Sequence, residues 1–115
     1  MKMCEEMQKL RDMLDAKGIK WSDQSDIMSE EDIDNLMGCC SESMNRKMFD
    51  MTFYRTHFIV DGKNCSVIYG FDTYGGYEPI SQTDYGLLEM WFIDNGEPIG
   101  WLTAEEVMEM CFDDI

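Results

Sequence analysis

The sequence predicts an α+β fold: a small antiparallel sheet of about four strands, with an N-terminal and a C-terminal helix packed on one of its faces. Three observations carry that expectation. An apolar stripe at helical spacing opens the chain, a two-residue turn joins two strand-like runs at its centre, and a capping box starts a second helix near its end.

The stripe is Met3, Met7, Leu10 and Leu14, four residues on one side of an amphipathic helix. Lys17 falls in its last turn, and Gly18 supplies the left-handed residue that ends it. Ile19-Lys20-Trp21 then reads as a short strand. From Ser22 to Phe49 patterning is weak. Ser29 as N-cap with Glu30, Glu31 and Asp32 in the first turn suggests a short helix carrying Ile33, Leu36 and Met37 and stopped at Gly38, with a polar loop from Cys39 to Lys47.

The centre is a hairpin. Met51–Val60 is dense in Phe, Tyr, Thr, Ile and Val, Asp61-Gly62 tolerates positive φ at both positions, and Cys65–Tyr69 returns as the partner strand. A long loop over Phe71–Gly86 follows. Leu87–Ile93 is a third strand closed by Asp94-Asn95-Gly96, and Ile99–Leu102 a short fourth one. Thr103 and Glu106 then form the capping box, with Val107, Met108 and Cys111 as the buried stripe of the last helix. Neither a repeat nor a linker divides the chain, so residues 1–115 are read as one acidic domain.

Charge bounds the function. The 115 residues carry 24 acids and 9 bases, a net charge of −15, and the excess is uneven. The last base is Lys63; residues 64–115 hold eleven acids and no base, against 13 acids and 9 bases before them. A field of that sign repels phosphate backbones and speaks against direct contact with nucleic acid. It attracts the basic surfaces that other proteins use to grip DNA or RNA, and equally it can do no more than keep a chain with twelve methionines soluble. No apolar run approaches the roughly 20 residues of a spanning helix, and the opening Met1–Glu6 has no apolar targeting core. Five cysteines, an odd number with Cys39 and Cys40 adjacent, suit free thiols in a reducing cytoplasm.

Chemistry is harder to single out. His57 is the one histidine and has no evident nucleophile or second ligand beside it, so catalysis would need a thiol or carboxylate brought close by folding. Cys39, Cys40, Cys65 and His57 do not follow a zinc spacing, and Glu30–Asn35 lacks the alternation of a calcium loop. No phosphate loop is formed by Gly70, Gly75 and Gly76. Neither a metal nor a cofactor is therefore expected, and the chain is not read as an enzyme. Tyr74-Gly75-Gly76-Tyr77 is more suggestive: its glycines allow close approach and its tyrosines offer stacking, as at a protein hot spot or a planar-ligand site, although a turn packed on the sheet needs the same residues.

Leu10–Asp15 leading to Gly18–Trp21, Arg55–Phe58 with Val60 and Gly62, Ser66–Ile68 running into Gly70-Phe71 and Thr73–Gly76, Gly86–Glu89, and Gly96-Glu97-Pro98 with Gly100–Glu105 together resemble small proteins of phages and prophages from gut Firmicutes. Ser22–Met51 looks like an insertion, and Asn64-Cys65 departs from the pattern. The resemblance implies a mobile-element gene acting in a bacterial cytoplasm and carries no residue role with it.

Two functional expectations result. The first is a binding protein that antagonises a host nucleic-acid-handling protein such as a CRISPR nuclease, its carboxylates standing in for phosphates; Glu97, Glu105, Glu106, Glu109, Asp113 and Asp114 are the candidate interface. The second is a small-ligand or nucleotide-signal sponge using Tyr74, Gly75, Gly76 and Tyr77 with Arg55 or His57. A structural or regulatory subunit is the plainer alternative, and a homodimer is compatible with either.

Overall fold

The computed structural model describes residues 3–26, 52–93 and 96–112. The expected short helix at Ser29–Met37, the loop after it with Cys39 and Cys40, the Asp94-Asn95 turn, and Asp113 and Asp114 lie outside the described residues.

Helix α1 spans Glu5–Ala16, and its stripe behaves as the spacing predicts: Met7, Leu10 and Leu14 are fully buried and Met3 packs at the margin of the core. It ends in a paired C-terminal motif. Gly18, at φ 75°, donates its N–H to Asp15 O, and Ile19 donates to Leu14 O, so the last carbonyls are satisfied as the chain reverses. Because the Ile19 amide is spent on that cap, the first strand cannot begin there. Strand β1 is Trp21–Asp23, two residues later than expected.

Strands β2 (Phe53–Val60) and β3 (Lys63–Gly70) form the hairpin. Asp61 and Gly62 both have positive φ (49° and 79°), the geometry of a turn whose twist matches that of the strands. The turn sets the register, Val60 opposite Lys63 through to Phe53 opposite Gly70. Strand β4 (Tyr77–Glu78) pairs with β5 (Thr83–Asp84) in a separate two-stranded sheet within the expected loop. Strands β6 (Leu88–Phe92) and β7 (Ile99–Leu102) complete an antiparallel main sheet of order β1-β2-β3-β6-β7, five strands where about four were expected. Helix α2 (Ala104–Cys111) starts at the capping box: Thr103 accepts from the Glu106 N–H, and Glu106 accepts from the Thr103 N–H.

Alternation sorts the sheet into two faces. Phe58, Val60, Cys65, Val67, Tyr69, Leu88, Met90 and Leu102 meet the helical stripes on one side and form the core with Val107 and Cys111. Arg11 leaves α1 into this layer, where its Nε donates to Thr56 Oγ1 (2.7 Å) and its guanidinium lies 4.7 Å from the Trp21 ring centre. Its Nη2 reaches Asp23 Oδ1 and the Arg55 carbonyl, both at 3.3 Å. This buried cation ties helix, β1 and β2 together through bonds that only one side-chain geometry makes. No helix among the described residues is long and apolar enough to cross a membrane.

Candidate functional site

Two surfaces follow from this layering. The helix layer turns an acidic surface outward, and the far side of the sheet has no helix over it among the described residues.

On the helical side α1 and α2 lie against each other although about a hundred residues separate them. Lys9 Nζ is 2.7 Å from Glu105 Oε1, and Glu6 Oε1 accepts the Ala104 N–H at 2.8 Å, adding a second acidic cap to the start of α2. The Lys9 contact holds Glu105 below the usual carboxylate range and Lys9 above its own. Of the candidate acids, Glu97, Glu105, Glu106 and Glu109 are exposed, but Glu105 is engaged by Lys9 and Glu106 by the capping box. The sequence reading confined the acidic surface to the C-terminal half. In the fold Glu5, Glu6, Asp12 and Asp15 of α1 join it, so seven carboxylates of the two helices stand against Lys9 and Lys17.

The Tyr-Gly-Gly-Tyr segment is strapped to the sheet. Tyr74 O accepts the Trp101 N–H (3.0 Å), Gly75 O that of Leu87 (2.8 Å), and Gly76 O that of Tyr85 (3.0 Å). Tyr74 N–H donates to Glu89 Oε1 at 2.8 Å. The close approach its glycines permit is thus to the protein's own β7: a Cβ on Gly75 would stand 2.8 Å from Trp101 N, and one on Gly100 2.6 Å from Tyr74 O. Gly75 and Gly76 are buried and Tyr77 stacks on Phe71, while Tyr74 is 63% exposed. Only Tyr74 of the four presents its side chain for recognition.

Beside Tyr74 the open face carries a cleft of about 450 Å³ lined by Phe53, Arg55, Ile68, Phe71, Asp72, Thr73, Tyr74 and Glu89. The strand register places three of them in one row, Arg55 opposite Ile68 and Ile68 opposite Glu89. Arg55 is half-buried, its guanidinium lies 5.2 Å from the Phe53 ring centre, and its Nε is buried without a hydrogen-bond partner. Among the described residues it forms no ion pair, although the molecule is rich in acids. Phe71 and Glu89 were not anticipated in such a site. The two-residue turn, which fixes the hairpin register, was the feature from which the Arg55–Ile68 pairing could have been read.

His57 lies on the same face two residues along, opposite Ser66 and Ser22, and lines a second open cleft with Trp21 and Ile59. It makes no hydrogen bond to a thiol or carboxylate among the described residues, and Cys65 and Cys111 are on the core side of the sheet. Those two thiols face each other at 3.9 Å, with Met90 Sδ 3.5 Å from Cys111 Sγ. The contact with Cys111 and burial push the Cys65 thiol well up, while the hydrogen bond from Cys65 holds the Cys111 thiol below its ordinary value. Among the described residues no three His, Cys, Asp or Glu side chains converge to hold a metal.

Two further groups set an alkaline limit on the fold. Cys4 is pushed up to about 11 by burial, and Tyr69, whose hydroxyl donates to Asp84 Oδ2 at 2.6 Å, is raised by burial and by that carboxylate. Groups raised on folding stabilise fully below their unfolded pKa, and the contribution declines as the pH climbs towards the folded one. Chemical denaturation should therefore show stability falling as the pH rises through about 8.5, where Cys4 and Cys65 ionise in the unfolded chain. A Tyr69→Phe variant keeps the cysteine part of that fall and loses the part above about pH 10.

The chain matches no family model, no curated protein and no solved structure.

Proposed function

We propose that this protein is a binding protein that engages a basic surface of a nucleic-acid-handling partner, its helical layer taking the place of a phosphate backbone. The observation that carries this is the side-by-side placement of α1 and α2, which gathers seven carboxylates onto one layer against two lysines. The resemblance to phage proteins supplies the kind of partner: a defence nuclease of the bacterial host, whose nucleic-acid groove is lined with Lys and Arg. Opposed fields accelerate encounter, and the carboxylates replace the counterions and phosphates that such a groove otherwise holds.

A DNA-cleavage assay with an RNA-guided nuclease from a Firmicutes host tests the idea. Near-stoichiometric protein is expected to block cleavage, and raising the salt from about 50 to about 300 mM to weaken inhibition at least about tenfold. A variant with Glu5→Gln, Asp12→Asn, Glu97→Gln and Glu109→Gln removes four exposed charges and leaves the Lys9–Glu105 bridge and the capping box in place. It should inhibit far less. Inhibition that is indifferent to salt and to these substitutions, or no inhibition at all, overturns the proposal.

A further inference from the structure

We propose that the cleft on the open face of the sheet, between Arg55 and Glu89, is a binding site for a small zwitterion of the α-amino-acid type bearing an aromatic or large apolar side chain.

The starting point is Arg55. A guanidinium brings five donors and a fixed charge, and burying any of them unpaired costs free energy. Elsewhere in the molecule the comparable cation, Arg11, is engaged through its Nε and Nη2 by Thr56, Asp23 and the Arg55 carbonyl. Arg55 has no such set. Its Nε is buried and unpartnered, the face of its guanidinium is covered by Phe53, and it lines a cleft open to solvent. A planar acceptor entering the cleft would meet a cation already held in place by the ring beneath it, the arrangement in which Arg recognises carboxylates best.

The other wall decides the ligand's charge. Glu89 sits across Ile68 from Arg55, two strand spacings away, or roughly 10 Å between backbones. One of its oxygens holds the Tyr74 amide, and Asp72 is exposed at the rim. A nucleotide or other polyanion would bring its charge against these two carboxylates and the −15 field of the whole chain. A ligand with a carboxylate at one end and an ammonium at the other meets opposite charge at both. An α-amino acid hydrogen-bonded at each end spans roughly 8 Å, which fits two side chains rising in parallel from strands roughly 10 Å apart. Ile68 lies between the charged walls, and Phe53, Phe71 and Tyr74 also line the cleft, an apolar and aromatic lining of the kind that takes a ring or branched side chain. The site lies on the sheet face opposite the helical layer, so it does not depend on the partner proposed above.

Calorimetric titration of the full chain with L-phenylalanine and L-tryptophan tests it, with 3-phenylpropionate lacking the ammonium and phenethylamine lacking the carboxylate as controls. Binding of at least one amino acid is expected in the micromolar to millimolar range, with both truncated ligands at least tenfold weaker. Arg55→Met and Glu89→Gln should each abolish or greatly weaken binding. Two-dimensional NMR of the unsubstituted protein guards against misfolding of either variant: ligand-induced shifts should centre on Phe53, Ile68, Thr73 and Tyr74. Absence of binding by either amino acid, equal binding of 3-phenylpropionate, or shifts centred elsewhere overturns the assignment.

Discussion

Gly75→Ala is expected to lower the free energy of unfolding by about 3 kcal/mol, through two separable effects. Gly75 has φ 97°, a conformation that an L side chain adopts only under strain, and its new Cβ would stand 2.8 Å from Trp101 N and 2.9 Å from Trp101 Cα. Those are backbone atoms of β7 and cannot swing aside. Relief requires the segment to lift from the sheet edge, breaking the Trp101–Tyr74 and Leu87–Gly75 hydrogen bonds. Gly18→Ala isolates the first effect, because Gly18 has φ 75° with nothing within 4 Å of the added carbon; about 1 kcal/mol is expected there. Urea denaturation of both variants separates strain from collision. Equal losses would mean that the segment is not strapped to β7. Tyr74→Ala, by contrast, should change stability by no more than about 0.5 kcal/mol, as is usual for an exposed side chain.

Phe58→Ala should cost about 3–5 kcal/mol and leave the folded state a minor margin. Phe58 is 1% exposed, flanked in register by Trp21 of β1 and Cys65 of β3, and stacked at 6.4 Å with Phe112 just past α2. Removing the ring opens a void that Trp21, Cys65 and Phe112 cannot all collapse into, because each is fixed to a different element. Ile59→Ala, one residue on and 57% exposed on the other face, should cost less than about 1 kcal/mol. A reversal of that order would put the core on the wrong face of the sheet.

Much of this layering was legible from local chemistry. The Met7–Leu10–Leu14 stripe, the Asp61-Gly62 turn and the Thr103–Glu106 box each depend on residues a few positions apart, and each appears as expected. Three features escaped for three physical reasons. Strand β1 starts late because the Ile19 amide completes the helix cap, a competition for one donor that spacing does not reveal. β4 and β5 are two residues each, too short for alternation to show. In β7 an extra residue faces β6, and Trp101 takes φ 61°, a place where glycine is the usual cue. Trp101 is thereby turned against Tyr85, ring centres 4.8 Å apart.

The candidate surfaces were half legible for a similar reason. Acidity is a property of composition, so its presence was plain, but its layout needed the α1–α2 contact between distant segments. Arg55 was noticed as a base near a tyrosine loop; that Glu89 stands two strands across from it depends on the β3–β6 pairing, which no local pattern encodes.

The contact between α1 and α2 also orders events during synthesis. Chain elongation at about 5–20 residues per second leaves roughly 5–20 s between the emergence of Leu10 and of the α2 residues beside it. For the first part of that interval the α1 stripe has neither its sheet nor its partner helix, because every strand of the sheet follows α1 in the chain. Closing so long a loop is entropically costly until the β2–β3 hairpin, whose pairings are local, supplies a surface on which α1 can settle. Until that hairpin has emerged, Met7, Leu10 and Leu14 are the surface that a chaperone would hold.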